Sequence, residues 1–273
     1  MKRVSVIMGT FNGKNRIDYA IESILNQSYD NLELIICDDC STDGSFEYLK
    51  EKYGNDKRIK LTQLEQNLGL SSALNRCIDL SEGEYIARMD DDDISHADRL
   101  NKQIEFLESH NEVSWVSCNI NYFDDDGVFG RSNSPQKIKT KEEVYAYGGF
   151  VHPTVVIRRE SLSEVNNYTV SKLTRRGQDY DLWCKLYAAG YKGLVMGEVL
   201  YDYYESRSSI KNRKIKYRIN HIRLKYAWRK KLRLPFSKNL ALLHDVLALM
   251  MPPMLYRWIR KRRFAKNQSS IIL

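Results

Sequence analysis

Four consecutive aspartates, Asp90 to Asp93, follow the apolar segment Tyr85–Met89. Adjacent carboxylates repel one another at neutral pH, and a divalent cation relieves that repulsion. Oxygen ligands suit Mn²⁺ or Mg²⁺, and a site with one or two carboxylates leaves coordination positions for the phosphates of a substrate. The run therefore predicts a metal site for a phosphorylated ligand, and the alternative is a solvated acidic turn.

Two further polar segments directly follow apolar runs. Thr10-Phe11-Asn12 come after residues 4–8, and Asp38-Asp39 come after residues 32–37. In a parallel sheet such segments meet beyond the carboxyl ends of the strands, where ligands bind. We therefore expect both segments to converge with the aspartate run on one site.

Two other motifs predict structure rather than chemistry. Asp124-Asp125-Asp126-Gly127 lie between alternating segments of residues 113–133, as expected of a hairpin turn. Cys37 and Cys40 form a C-x-x-C motif without a second pair, which disfavours a metal or redox role. The odd number of cysteines, five, argues against a disulfide framework and favours a reducing, cytoplasmic compartment.

The elements that must position these residues alternate between strands and helices. We predict strands at residues 4–8, 32–37, 59–64, 85–89 and near 154–157, and helices at 17–25, 43–53, 71–80 and 178–189. Ser71 is the expected N-cap of the third helix. This order predicts an α/β fold with a mostly parallel, Rossmann-like sheet and helices on both of its faces.

Charge divides the 273 residues into two predicted domains. Residues 1–210 hold 25 Lys and Arg against 34 Asp and Glu, a net charge of −9, and form the predicted ligand-binding body. Residues 211–273 hold 18 Lys and Arg against one acid, Asp245, a net charge of +17. We therefore expect the two parts to meet different partners.

The basic tail predicts helices. Ile215, Ile219, Ile222 and Tyr226 fall at helical spacing among Lys and Arg, which predicts a basic amphipathic helix over residues 211–233. A second apolar stretch, residues 240–259, is too interrupted to span a membrane and precedes four consecutive basic residues. We predict association with an anionic membrane surface. Packing of the apolar stripe against the body and nucleic-acid binding are the alternatives.

Six segments between residue 3 and about residue 205 carry a recognisable pattern: VSVIMGTFN, AIESILNQSYDNLELIICDDCSTDGS, QNLGLSSALNRCID, GEYIARMDDDDISHADRLNKQ, HPTVVIRRE and QDYDLWCKLYAAGYK. In these segments, and in their order, the sequence resembles the GT-A fold glycosyltransferases of family 2, which use nucleotide-diphosphate sugars and build bacterial capsules, exopolysaccharides and O-antigens.

The resemblance implies a role for each matching residue. The implied nucleotide-binding residues are Gly9, Thr10, Phe11 and Asn12 in a first loop, Asp39 beside the base, Asn67 and Gly69 in a second loop, and Asp90 and Asp91 of the Asp-x-Asp element. Within that element Asp90 would approach the ribose, and Asp92 would hold the metal ion that bridges the diphosphate. Phe11 stands where the family usually has tyrosine.

The resemblance also implies a catalytic base, Asp179, which would take the proton of an acceptor hydroxyl as that oxygen attacks the anomeric carbon. Asp181 is the competing candidate, and in a helix the two carboxylates point to different faces, so only one can serve. By the same resemblance His152 would lie on the acceptor side, and the alternative is a loop histidine without a role in the reaction. The family's histidine near residues 200–209 is missing, and Arg207 is the expected substitute that neutralises phosphate.

These observations predict a metal-dependent, inverting glycosyltransferase that uses Mn²⁺ or Mg²⁺. It would move a hexose or N-acetylhexosamine from a UDP-sugar onto a saccharide acceptor, lipid-linked, at the inner face of the cell membrane. An Asp-rich nucleotidyltransferase is a weaker alternative because no phosphate loop with a lysine is present. An adaptor protein led by the basic tail is the other alternative. We expect no nucleic-acid partner, and the sequence carries no signal for an oligomeric state.

Overall fold

A computed structural model describes residues 1–205, 215–240, 242, 243, 245 and 246. Its centre is a ten-stranded sheet in the order β3-β2-β1-β4-β9-β6-β10-β5, with β7 paired to β6 and β8 paired to β10. The strands are β1 Val4–Thr10, β2 Leu32–Asp38, β3 Ile59–Gln63, β4 Tyr85–Met89, β5 Ile94–Ser95, β6 Trp115–Asp124, β7 Gly127–Arg131, β8 Lys137–Ile138, β9 Val156–Arg158 and β10 Gly193–Tyr204.

Six strands run in one direction, namely β3, β2, β1, β4, β6 and β10, and the short strands β5, β7, β8 and β9 run against them. The predicted mostly parallel sheet is therefore confirmed. Because β1, β2 and β4 are parallel neighbours, the residues that follow them lie at the same edge of the sheet.

The helices are α1 Ile17–Leu25, α2 Ser45–Tyr53, α3 Leu70–Leu80, α4 Arg99–Ser109, α5 Lys141–Tyr147, α6 Arg159–Glu164, α7 Gln178–Ala188 and α8 Ile215–Lys231. Separate apolar clusters on the two faces of the sheet, one with Val6 and Ile21 and the other with Ile7 and Leu74, form the core. Alternate residues of β1 thus point to opposite faces, as a strand requires.

Several predicted boundaries are wrong. β1 continues through Gly9 and Thr10, which pair with Cys37 and Asp38, so these two residues belong to the strand and not to a loop. Ser71 is not an N-cap; α3 begins after Gly69, whose φ of +92° favours glycine. Thr154 lies in a 3₁₀ turn before β9. The predicted hairpin with its turn at Asp124–Gly127 is confirmed.

All five cysteines lie in the described part of the chain and are free thiols, as the odd number of cysteines predicts. Cys37 is fully buried at the end of β2. Among the described residues, every helix is too short or too polar to cross a membrane.

The basic helix predicted in the tail is present as α8, and it packs against α5 and α7 of the body. The residues that pack are Leu224 and Trp228, which are 3% and 5% exposed. Three residues of the stripe expected to pack under that alternative, Ile215, Ile219 and Tyr226, are exposed instead, and the fourth, Ile222, is half-buried. Residues 206–214 and 247–273, which include Arg207 and most of the second apolar stretch, lie outside the described residues.

Candidate active site

The aspartate run lies where β4 ends, with Asp90, Asp91 and Asp92 half-buried and Asp93 fully buried. Carboxylate oxygens of Asp90, Asp92 and Asp93 lie within 4.8 Å of one another. Burial raises the pKa of Asp92 to about 7, and the charges of Asp90 and Asp91 contribute to the shift. Closely spaced carboxylates that resist ionisation fit a divalent cation, whose charge would offset their repulsion.

Arg88 holds the first residue of this run. Its guanidinium, in β4, is 3% exposed and forms an ion pair with Asp90. Burial opposes the charge of Arg88, but the Asp90 carboxylate raises the pKa of the guanidinium. The Nε and Nη1 atoms of Arg88 have no hydrogen-bond partner among the described residues. Arg88 is therefore a buried cation beside the predicted metal site, and the sequence analysis did not identify it.

Strand β10 fixes the last residue of the run. The hydroxyl of Tyr201 donates to the Asp93 carboxylate at 2.8 Å and accepts the Asp90 N–H at 3.3 Å. The Tyr204 N–H donates to the other oxygen of Asp93 at 2.7 Å. Asp93 therefore supports the turn and can also offer an oxygen to a cation, a role that the sequence analysis did not predict.

The second residue of the run is tied to β1. The hydroxyl of Thr10 donates to the Asp91 carboxylate at 2.5 Å. Burial raises the pKa of Asp91 to about 6, although this hydrogen bond opposes the shift. A Cβ atom at Gly13 would collide with the Asp91 carboxylate and the Thr10 hydroxyl, so a larger residue there would displace these side chains. Gly9 is buried, and a Cβ atom on it would lie 2.9 Å from Leu70, which shows that Gly9 allows α3 to pack closely on β1.

Phe11 and Asn12 form the exposed rim beside these residues. The Asn12 side-chain oxygen accepts the Thr42 N–H at 2.9 Å, and the Asn12 N–H donates to the Ser41 hydroxyl at 2.8 Å. These hydrogen bonds hold Asn12 at a φ of +56°. The Phe11 side chain is 47% exposed at this rim. An exposed aromatic ring on a fixed loop can stack on a planar ligand such as a nucleobase.

Asp39 connects the β2 exit to the start of α3. Its two carboxylate oxygens accept the N–H groups of Leu68 and Gly69, each at 2.8 Å. The Asn67 side chain donates to the Asp39 carbonyl at 3.3 Å. Burial raises the pKa of Asp39 despite these hydrogen bonds. Asn67 and Gly69, the predicted residues of the second loop, therefore lie beside Asp39, and the hydrogen bonds to the Asp39 carboxylate hold that loop in place.

Asp179 and Asp181 lie in the first turn of α7 and have different surroundings. Burial raises the pKa of Asp179, while the Tyr180 N–H and the nearby His221 and Arg88 oppose that shift. Asp181 is 5% exposed and accepts the indole N–H of Trp228 at 2.7 Å. The two carboxylates thus serve different faces, as predicted. Asp179 is near the guanidinium of Arg88, whereas Asp181 attaches α8 to the body.

His152 is buried rather than placed on an open acceptor surface. Its Nε2 atom is 2.7 Å from the Tyr168 hydroxyl, and burial lowers the pKa of the imidazole, so it is neutral at pH 7. The Asn75 side chain holds the Tyr168 backbone with hydrogen bonds of 2.9 and 3.0 Å. Burial raises the pKa of the Tyr168 hydroxyl, the charge of Arg88 opposes that shift, and the charges of Asp179 and Asp90 add to it. No sequence motif marks Tyr168.

The hairpin run of aspartates has an exposed arrangement. Asp125 forms an ion pair with Arg16, whose guanidinium lies 3.6 Å from the centre of the Tyr204 ring. The Asp125 side chain is 74% exposed. This arrangement is a cation stacked on an aromatic ring at the surface, and it holds the hairpin tip against the start of α1.

The chain is similar in sequence to known glycosyltransferases. A sequence model of glycosyl transferase family 2 matches residues 5–165. EpsE of Bacillus subtilis, provisionally named a glycosyltransferase, is 35% identical over 272 residues, which cover 99% of this chain and 97% of EpsE. WfgD of Escherichia coli, a UDP-Glc:alpha-D-GlcNAc-diphosphoundecaprenol beta-1,3-glucosyltransferase, is 33% identical over 78% of this chain and 81% of its own length.

Solved structures agree on the fold. The mannosyltransferase PcManGT from Pyrobaculum calidifontis, solved with GDP-Man and Mn²⁺, superposes with a TM-score of 0.64 at 19% identity. The match covers 97% of this chain and 80% of that enzyme.

Proposed function

The chain belongs to glycosyl transferase family 2, and from this membership we propose that it transfers a hexose or N-acetylhexosamine from a UDP-sugar to a lipid-linked saccharide during polysaccharide synthesis. In this proposal the reaction depends on Mn²⁺ or Mg²⁺ and inverts the anomeric configuration. The fold is GT-A, and the chain is a glycosyltransferase.

One observation carries the proposal. Arg88, a buried cation in β4 of the parallel sheet, forms an ion pair with Asp90 of the aspartate run, and its charge also opposes the rise in the pKa of the base candidate Asp179. A sugar nucleotide needs a cation site for its diphosphate and, beyond the anomeric carbon, a base for the acceptor. We infer that the residues around Arg88 supply both.

The chain's own residues have separate tasks in this proposal. Phe11 and Asn12 bind the uridine at the rim, while Asp39 shapes the Asn67–Gly69 loop against it. Asp90, Asp92 and Asp93 would hold the metal ion, and when bound that ion neutralises the diphosphate leaving group. Asp179 accepts the proton of the acceptor hydroxyl. The buried environment that raises its pKa also makes the carboxylate a better base.

The acceptor and the location come from the relatives and the tail. WfgD acts, by its name, on a GlcNAc joined to a lipid through a diphosphate. We assign this chain an acceptor of the same class. Residues 211–273, with their net charge of +17, would bring the enzyme to the anionic inner face of the membrane. Arg207 would act on the phosphate side.

The test compares Asp179→Asn with Asp181→Asn, two removals of charge two residues apart. UDP release from UDP-glucose and UDP-GlcNAc is measured with Mn²⁺ and a synthetic α-D-GlcNAc diphospholipid. We expect Asp179→Asn to lower turnover by about 10²–10⁴-fold because the base is lost. UDP affinity by calorimetry should stay unchanged. Asp181→Asn keeps an oxygen for Trp228 and should remain active.

Each alternative result has a defined meaning. Full turnover in Asp179→Asn would refute the base assignment. Turnover that survives removal of divalent ions with EDTA would refute metal dependence. Release of pyrophosphate in place of UDP would favour the nucleotidyltransferase alternative.

A further inference from the structure

Helix α8 has two apolar faces, and one of them is used by the fold. Leu224 and Trp228 are buried against Tyr145, Tyr180 and Cys184 of α5 and α7. The Lys225 ammonium is 2% exposed and donates to the Ala146 carbonyl at 2.8 Å and to Asp245 at 2.7 Å. These contacts fix the rotation of α8 about its own axis, so the opposite side must face outward.

The outward side carries the apolar stripe that the sequence predicted. Ile215, Ile219 and Tyr226 are 64%, 37% and 51% exposed. Their spacing of four and seven residues places them along one line of the helix, roughly opposite Leu224. Ile222, the fourth residue of this line, is half-buried, and the residues of α8 that pack into the core of the body are Leu224 and Trp228 on the other side.

Cations border the stripe along the helix. Lys216, Arg223 and Lys230 are exposed and follow one edge of it. The Lys230 ammonium lies 5.7 Å from the centre of the Tyr226 ring. Residues 215–240 contain no Asp or Glu. A row of apolar side chains bordered by cations, without acids, is complementary to a surface that has an apolar interior and anionic groups at its boundary with water.

We propose that this outer face of α8, defined by Ile215, Ile219, Tyr226, Lys216, Arg223 and Lys230, docks on an anionic lipid bilayer. The apolar residues enter the boundary between headgroups and acyl chains, and the cations contact lipid phosphates. The inference rests on the proposed function, since an enzyme with a lipid-linked acceptor must work at a bilayer.

The inner face of α8, which packs on the body, connects the outer face to the base candidate Asp179. Leu224 Cδ2 and His221 Nδ1 lie 3.4 Å and 3.7 Å from where a Cβ atom of Gly177 would be. The His221 ring is 4.9 Å from the ring of Tyr180. Gly177 and Tyr180 flank Asp179 at the start of α7. Docking of α8 would therefore hold Asp179 at a set height above the bilayer, where the sugar of a lipid-linked acceptor projects.

The experiment measures co-sedimentation of the full chain with vesicles of phosphatidylcholine and phosphatidylglycerol. The stripe variant combines Ile215→Gln, Ile219→Gln and Tyr226→Gln, which keep helix propensity and replace exposed side chains. We expect its vesicle binding to fall at least about tenfold, because the inserted apolar area is lost. The matched control combines Tyr19→Gln, Val128→Gln and Val170→Gln, which are 66%, 64% and 56% exposed on the body. It should bind as the unchanged chain does.

A cation variant tests the second half of the surface. Lys216→Gln, Arg223→Gln and Lys230→Gln together should weaken binding by about 100-fold on anionic vesicles, because each cation contributes about 1 kcal/mol near the surface. The loss should shrink on vesicles of phosphatidylcholine alone. Equal loss on both vesicle types would overturn the assignment of headgroup contacts.

Two further results would overturn the docking proposal. Unchanged vesicle binding in the stripe variant is one. Reduced thermal stability of that variant without vesicles is the other, because it would mean that another part of this chain covers the stripe. UDP release from UDP-glucose in solution, without vesicles, reports on the catalytic centre separately. Its absence in the unchanged chain counts against the proposed function, while vesicle binding alone decides the docking surface.

Discussion

The chain contains two runs of aspartates with nearly the same composition and opposite surroundings. Asp90–Asp93 lie at the exit of a buried parallel strand, with Asp93 inaccessible and three carboxylates within 4.8 Å. Asp124–Asp126 lie at a hairpin tip, where Asp125 is 74% exposed. In the first run, burial raises the pKa of Asp91 to about 6 and that of Asp92 to about 7.

The ion pairs of the two runs differ in the same way. Arg88 pairs with Asp90 inside the sheet, whereas Arg16 pairs with Asp125 at the surface. Water screens the second pair, and little of the first is reached by water. The position of a run relative to the strands, rather than the number of acids in it, therefore decides which aspartates can bind a cation.

The largest expected effect is a difference in turnover between two variants, each of which neutralises one aspartate in one of the two runs. Asp92→Asn should lower UDP release from UDP-glucose with Mn²⁺ by about a thousandfold, because a bound metal contributes several kcal/mol to charge stabilisation. Asp126→Asn, on the exposed run, should retain full turnover. Equal losses in the two variants, or full activity in Asp92→Asn, would contradict the assignment of the metal ion to the first run.

An intermediate effect is expected from the two arginines. Arg88→Met leaves the Asp90 carboxylate unpaired in a mostly buried site, so the free energy of unfolding in urea should fall by about 3 kcal/mol. Arg16→Met removes an exposed pair and should change it by at most about 1 kcal/mol. Circular dichroism during urea titration measures both. A similar loss in both variants would show that burial does not distinguish the pairs.

The smallest expected effect is on pH dependence. The folded chain keeps protons on Asp91 and Asp92 up to about pH 6 and pH 7, while the unfolded chain loses them near pH ~3.9. Between these values the folded state binds more protons, so these groups make stability fall as pH rises from about 4 to 7. Thermal denaturation in EDTA should therefore give a Tm lower at pH 8 than at pH 5.

Two controls accompany this measurement. Asp92→Asn should reduce the difference in Tm between the two pH values, and Asp126→Asn should leave it unchanged. Mn²⁺ should raise the Tm more at pH 8 than at pH 5, because metal ligands must be deprotonated. A Tm in EDTA that rises with pH equally in all three proteins would count against the raised pKa values.

Much of the fold and part of the site could be predicted because they depend on local patterns. Alternating apolar runs located β1, β2, β4, α1 and α7, and the residues at the strand exits were correctly expected at one edge. Strand ends were less predictable. Gly9 and Thr10 extend β1 because Cys37 and Asp38 pair with them across the sheet, and such pairing has no signal in either segment alone.

Some site residues required long-range contacts to be recognised. Tyr168 belongs to the site because Asn75, on another element, holds its backbone, and Asp93 because Tyr201 and Tyr204 reach it from β10. These partners are 93 to 111 residues away. A pattern within one segment cannot show a contact of that length, since it arises only when the sheet has formed.

For helix α8, the sequence and the tertiary structure determined different things. Its sequence alone predicted a helix with Ile215, Ile219, Ile222 and Tyr226 along one line and a strong positive charge. It could not show whether that line faces the body or the solvent, because Leu224, Trp228 and Leu232 form a second apolar line. Tertiary structure decided the matter: Asp181 accepts the Trp228 indole N–H, and this buried hydrogen bond requires the second line to face inward.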